Sequence, residues 1–460
     1  MSNDPEDVCD YPEDADGDRG SNILARLDRV PVWALPRRYL AIIGIGYFFV
    51  FYDIADIGYA LPAIAREFGL SGSEAVFVAV AVGLVGYVAG SVGIGSLADR
   101  FGRYRMLILT MSLTAIGAFG DAAATGLLSL VVFRFVTGMG VGADLNLVST
   151  YVSELAPARV RGRITVLTFL VGIIGQAVTP FIALALVPHV SFGWRLMFVI
   201  GGAIAVLGLC VRTALPESPR WQVVHGHLDD AERTIDRMER ACEARDIKLP
   251  APESQSAPPD TDGPIRFGPV YERRLTVLSA MWFLWYIGNY GFLGDAAQLI
   301  TDKGDAIGGS ILFLAIGAVG YPVGAALMLV LVDRVERRLL ILGSSIVWLA
   351  GMLLIGSFAG DIAISAGAFL AAMSLGCYLQ VAYTFTAESF PTRIRATGFA
   401  LSDGIGHGGG AIGALALPLV VSSFSFFAGF ALIGVTGLLA GVIALLGPKS
   451  TRRRLESVSG

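Results

Sequence analysis

Stretches of twenty or more residues almost free of charge recur along this chain, and that feature limits its fold more than any other. A helix needs about 20 apolar residues to cross the hydrocarbon core of a bilayer. In that medium every backbone N–H and C=O must be satisfied within the spanning structure. Twelve stretches meet the length, at about 39–63, 75–97, 105–125, 127–152, 163–187, 193–215, 274–298, 308–332, 338–359, 362–388, 397–421 and 424–447. Short charged loops separate them at Asp99 to Arg105, Pro157 to Arg163, Asp333 to Arg338 and Pro391 to Arg395. Of the 460 residues, 54% are hydrophobic and only 16% charged. An ordinary soluble chain carries about 25% charged residues, so the charge needed to solvate a soluble protein of this length is lacking. The predicted class is an all-α integral membrane protein with twelve transmembrane helices.

Twelve spans place both termini on one side, and the positive-inside rule chooses which. With the N-terminus in the cytoplasm, the outer loops hold only Arg66, Arg195 and Lys303 of the 34 lysines and arginines, and Arg134 lies inside a span. The expectation is a multi-pass protein of the plasma (inner) membrane with both termini cytoplasmic. Residues 1–38 are acidic and then basic, with no apolar run. They read as a cytoplasmic tail rather than a signal peptide, and 448–460 as a second tail. One long loop, 216–273, divides a six-span half at 39–215 from another at 274–447. Within it Leu228, Ala231, Ile235, Met238 and Cys242 recur every three or four residues, the pattern of an amphipathic helix. The segment 250–264, PAPESQSAPPDTDGP, reads as a flexible linker.

An internal repeat organises the rest. Asp99, Arg100 and Arg103 return as Asp333, Arg334 and Arg337, at an offset of 234 residues. Glu154, Pro157, Arg159 and Arg161 return as Glu388, Pro391, Arg393 and Arg395 at the same offset. Two separate motifs sharing one offset imply two six-helix halves in the same orientation. Parallel halves suit alternating access by rocking about a site at the membrane midplane.

Several chemistries are excluded. Cys9, Cys210, Cys242 and Cys377 have no metal-ligand spacing, so neither a zinc site nor a disulfide framework is expected. The only lysines are Lys248, Lys303 and Lys449, and none follows a glycine, so there is no phosphate loop and no ATP-driven pump. No nucleophile constellation is present. The expected protein is no enzyme; it holds no metal or cofactor, binds no nucleic acid, and functions as a monomer with a small-molecule substrate and the bilayer as its partners.

At its motifs the chain resembles a major facilitator superfamily transporter of the sugar-porter branch, which includes related metabolite:proton symporters. GSLADRFGR (95–103) is similar to that family's loop between spans two and three. PESPR (216–220) resembles its motif after span six, and RFVTG (134–138), Glu154 with Arg161 and Gly162, and Glu388 with Pro391 and Arg395 fit the same branch. By this resemblance Asp53 matches the proton-carrying aspartate of span one, Arg134 its span-four arginine, and Gln176 the span-five glutamine that hydrogen-bonds substrate. Two features depart from sugar porters: WFLWYIGNYGFLGDAAQ (282–298) lacks their paired glutamines, and SLGCYLQVAYTFTAE (374–388) lacks their tryptophan.

Ionisable residues inside a span cost about 3 kcal/mol or more and mark function by default. Asp53 and Asp56 share one face of span one. With Arg134 they are either the proton-coupling site or a static ion pair. Asp144 reads as a partner for Arg103. Glu154 and Glu388, with Asp99, Arg100, Arg103, Arg161, Asp333, Arg334 and Arg395, read as gate salt bridges at the cytoplasmic span ends. Asp403 and His407 stack one turn apart on span eleven, as an alternative proton relay or a satisfied polar pair. Asp295 falls near the outer mouth. Gln176, Asn289, Gln380 and Tyr383 are candidate substrate ligands; Trp282, Trp285, Tyr286, Tyr290 and Tyr383 either line a cavity or pack. The expected activity is proton-coupled secondary transport of a small polar metabolite by alternating access. Charge arithmetic leans toward a neutral or cationic solute, since an anion would meet net repulsion from the aspartates, while the resemblance leaves organic acids open. The rival reading is a non-transporting nutrient receptor.

Overall fold

The computed structural model describes residues 13–70, 82–157, 159–187, 189–252, 268–302, 307–357, 359–453 and 458. Among them, ten helices are long and apolar enough to cross a membrane; Arg103–Ala122 and Pro269–Asp302 complete a set of twelve spans. Spans 1 to 6 are Arg37–Phe68, Val82–Phe101, Arg103–Ala122, Leu127–Leu155, Arg161–Leu186 and Gly193–Arg212. Span 7 is Pro269–Asp302, and spans 9 to 12 are Arg337–Ser357, Asp361–Glu388, Arg395–Ser423 and Phe426–Ala444. Span 8 runs as two segments, Ile307–Ala318 and Gly320–Leu331, broken at Val319. Spans 1–6 pack chiefly on one another, as do 7–12, and the halves meet along two seams, span 2 against span 11 and span 5 against span 8.

The internal repeat extends into the packing. Gly86 and Gly90 press on the backbone of Phe135 and Met139 in span 4. At the same offset of 234 residues, Gly320 and Gly324 press on Phe369 and Met373 in span 10. Small residues let membrane helices approach at backbone distance, so each half has the same close contact at the same place. The glycines of span 11 serve a different contact: a Cβ at Gly406, Gly409 or Gly413 would collide with Trp282, Phe283 or Ile287 of span 7.

The face carrying the termini bears further structure. The helix Leu228–Glu243 buries all five residues of its apolar stripe. It packs on the short helix Pro219–Val224 and on Glu13–Arg29. The N-terminal segment is therefore a docked helix rather than a plain tail. Ile23, Leu24 and Leu27 are buried, and its arginines meet the acidic face of Leu228–Glu243. Arg19 pairs with Asp229 and Glu232 (2.6 Å each), Arg26 with Asp236 (2.5 Å) and Glu239 (2.6 Å), and Arg29 with Glu239 (2.6 Å). Residues 253–264 of the expected linker, and Lys303, lie outside the described residues.

Burial opposes the charge on Glu239, but Arg26 and Arg29 hold its carboxyl below the usual range. That contribution is complete above the ordinary glutamate value of about 4.3 and is lost as pH falls through the lowered folded value. Glu239→Gln at neutral pH, or acid pH in the wild type, is expected to raise hydrogen exchange in residues 19–29 several-fold, leaving the span amides protected.

Candidate transport site

Two layers of ionisable groups cross the molecule. The first closes the face that carries the termini. Arg103 holds Glu154 through two nitrogens (3.0 and 3.1 Å) and lies 2.9 Å from Asp99. Arg395, from the other half, reaches the same Glu154 at 3.0 Å. The repeat produces the mirror image more loosely: Arg337 and Arg161 both approach Glu388 at 3.4 Å. Each signature aspartate also crosses the seam. Asp99 accepts from the Thr397 backbone N–H at 2.9 Å, and Asp333 from that of Arg163 at 3.1 Å. Thr397 and Arg163 are each the third residue of a helix, where free N–H groups and the helix dipole favour an anion. Of the expected gate residues, Arg100 and Arg334 are exposed and form no ion pair among the described residues.

The PESPR motif braces this layer. Glu217 accepts from the backbone N–H groups of Arg103 (2.9 Å) and Tyr104 (3.2 Å), capping span 3. Gly102 makes the turn at φ +98°, and a side chain there would strike the Glu217 carboxylate. Burial lifts the Glu217 carboxyl above its ordinary range against the backbone N–H groups that favour its charge.

The second layer lies deeper, on the side away from the termini. Arg134 is 3.6 Å from Asp53 and 3.3 Å from Asp121. Asp121 is also held by the Thr137 hydroxyl at 3.1 Å. The sequence reading missed Asp121, which sits in a run of small residues at the end of span 3. Asp56 is fully buried one turn beyond Asp53 and forms no ion pair among the described residues. Asp53 and Arg134 line a cavity with Tyr87, Gln176, Tyr290 and Tyr321. A second cavity shares Ile54, Gln176, Tyr290 and Leu293 with it and reaches Asn289, Tyr286, Tyr383 and His407.

Four sequence expectations resolve here. Asp144 does not partner Arg103. It takes both terminal nitrogens of Arg212, one at 2.8 Å, and the Thr110 hydroxyl at 2.7 Å; Arg103 is already saturated by Asp99 and Glu154. Gln176 lines both cavities and donates to the Tyr321 hydroxyl at 3.2 Å across a seam. Gln380 lines neither cavity, its amide turned back on the Gly376 carbonyl at 2.5 Å. The aromatic set divides: Tyr286, Tyr290 and Tyr383 line the second cavity, whereas Trp282 donates to Thr386 and Trp285 stacks on Tyr378 at 3.5 Å. Nothing is described of the Asp295 side chain.

The family described as "Sugar (and other) transporter" matches residues 39–459. The chain belongs to that family. Its fold is that of the major facilitator superfamily: the proton:xylose symporter XylE superposes with a TM-score of 0.76 at 22% identity, over 91% of this chain and 97% of that one. Among relatives of this transporter, the putative metabolite transport protein YyaJ of Bacillus subtilis (strain 168) is 28% identical, covering 95% of this chain and 97% of its own. The niacin transporter NiaP of Acinetobacter baylyi is also 28% identical, over 95% and 99%.

The Asp144–Arg212 pair ties spans 3, 4 and 6 with both charges buried. Removing one partner of a buried pair strands the other charge and costs about 3–5 kcal/mol. Arg212→Leu is expected to lower the transporter's thermal stability by that order, and adding Asp144→Asn to recover most of it.

Proposed function

We propose that this protein is a secondary active transporter that carries a small polar metabolite across the plasma membrane by alternating access, in symport with protons. Its termini lie in the cytoplasm, as the arginine-rich face between them favours. With that orientation the arrangement is outward-facing, the cytoplasmic layer closed and the cavities beyond it.

The observation that carries the coupling reading is the division of Arg134 between two carboxylates. A buried arginine stripped of its only counter-ion would be strongly destabilised. Asp121, fixed by Thr137, remains beside Arg134 whatever Asp53 does. Asp53 is therefore the carboxylate that can take and release a proton without stranding a cation, and it lies on the cavity wall where the proton and the solute arrive. Movement of span 4 against span 1 changes the distance between Asp53 and Arg134, and with it the charge that Asp53 tolerates. The closing layer supplies the other half of the cycle. Its cross-half bonds at Asp99, Asp333, Glu154 and Glu388 must break for the cavity to open inward.

The test is uptake into proteoliposomes from a panel of sugars, cyclitols and aromatic acids. Asp53→Asn is expected to lower pH-gradient-driven accumulation by at least about tenfold, equivalent to about 1.4 kcal/mol, while counterflow persists; Asp56→Asn does less. Undiminished accumulation in Asp53→Asn would make the pair structural. Asp99→Asn keeps its side chain's shape but loses the charge on the helix N-terminus of span 11. It is expected to fold and bind normally yet turn over several-fold more slowly, and wild-type turnover would remove it from the gate.

A further inference from the structure

A further cavity opens on the face that carries the termini, where the start of span 7 meets the end of span 12. It is a groove of about 240 Å³, and its walls are of two kinds. Val270, Val277, Leu278 and Leu446 are apolar, whereas Arg273 and Arg274 bring two positive charges, and no carboxylate lines it. Arg274 is half-buried. Its guanidinium donates to the Ser389 carbonyl at the end of span 10 (2.8 Å) and to the Val458 carbonyl (2.7 Å), and it lies 5.6 Å from the centre of the Tyr271 ring. Two neutral carbonyls occupy two of the five N–H donors of a guanidinium and leave its charge unbalanced. Arg273 is exposed, and neither arginine forms an ion pair among the described residues. Lys449, next in sequence to the groove residue Pro448, is exposed and unpaired in the same way. A cation drawn partly out of water without a counter-ion is costly.

The apolar walls say where the anion comes from. Val270 is 57% exposed and Leu446 62%, so the groove opens at the side of the bundle. From Leu446 backwards, Val442, Leu439 and Val435 follow at steps of four, three and four residues, on one helical face, and all three are exposed. That stripe leads from the arginines along the outside of span 12, the path of an acyl chain. Basic pockets between membrane helices at headgroup depth bind anionic lipids. A soluble anion would leave the apolar walls in water. A zwitterionic headgroup would bring an ammonium group to a groove that has no carboxylate to receive it. We propose that this groove seats one anionic phospholipid, its phosphate on Arg273 and Arg274 and one acyl chain along the stripe from Leu446 to Val435. The assignment is independent of the solute carried and of the coupling ion.

The experiment uses the full chain purified in detergent and offered dioleoylphosphatidylglycerol or dioleoylphosphatidylcholine, with bound lipid counted by native mass spectrometry. Wild type is expected to retain one phosphatidylglycerol with at least about fivefold preference over phosphatidylcholine, the effect of one basic residue at a membrane surface. Arg273→Gln is expected to weaken phosphatidylglycerol binding by about the same factor and Arg274→Gln by more, with phosphatidylcholine unaffected. Arg105→Gln removes an exposed arginine at the base of span 3, outside the groove, and should change neither. Equal retention of the two lipids overturns the proposal. So does an equal loss in Arg105→Gln, which would mean diffuse attraction to the whole basic face. Displacement of the lipid by millimolar inorganic phosphate would make the groove a site for a soluble anion and likewise refute the assignment. Should Arg274→Gln not fold, Arg273→Gln decides the question, because that side chain is exposed and bonds nothing among the described residues; unchanged phosphatidylglycerol retention in it overturns the site.

Discussion

Two backbone hydrogen bonds set the state in which this molecule is seen. Each joins an aspartate at the end of one half to the third amide of a helix in the other half. Because Asp99 reaches Thr397 and Asp333 reaches Arg163, the bonds are reciprocal and the seam is fastened on both sides of its axis. Carboxylate against helix N-terminus is a directional, charge-assisted contact, and it exists only when the two halves touch on that face. The arginines and glutamates behind it follow from the same geometry, since Arg395 and Arg161 start the helices that the aspartates cap. The polar cluster at Arg134 and the cavity it lines lie deeper, on the side away from that fastened face.

The two fastenings are unequal. The layer around Glu154 has contacts near 3.0 Å and is braced by Glu217, whereas the layer around Glu388 sits at 3.4 Å and Asp333 stands 3.8 Å from Arg337. The docked N-terminal helix and the helices after span 6 lie on the tighter side. Trp221 ties them to it through a bond to the Asp99 carbonyl at 2.9 Å, and Arg220 meets Asp28 of the N-terminal helix at 2.5 Å.

Much of this was legible before any coordinates. Span length, charge sidedness and a common offset of 234 residues carried the twelve helices, the two halves and most of the closing layer, because those properties reside in local sequence or its repetition. The family resemblance implied Asp53 and Arg134 as a pair, and the two lie 3.6 Å apart. The rest depended on partners that sequence does not bring together. Asp121 falls inside the expected span 105–125, but its partner Arg134 is known only once the fold sets span 3 beside span 4. Arg212 looks like one more cytoplasmic arginine until the fold buries it against Asp144. The N-terminal helix has a polar composition whose carboxylate partners lie some 210 residues away. The ring that stacks on His407, Tyr87, comes from the opposite half and is not adjacent in sequence.

The offset that makes the halves alike also shows where they differ. Asp144, locked to Arg212 in the first half, is replaced 234 positions later by Tyr378, which stacks flat on Trp285. A buried ion pair holds its helices to one register, because a small displacement exposes charge to hydrocarbon. A stack of uncharged rings exposes no charge when the rings slide. At this position the first half therefore resists displacement through a buried ion pair, whereas the second carries only uncharged rings there.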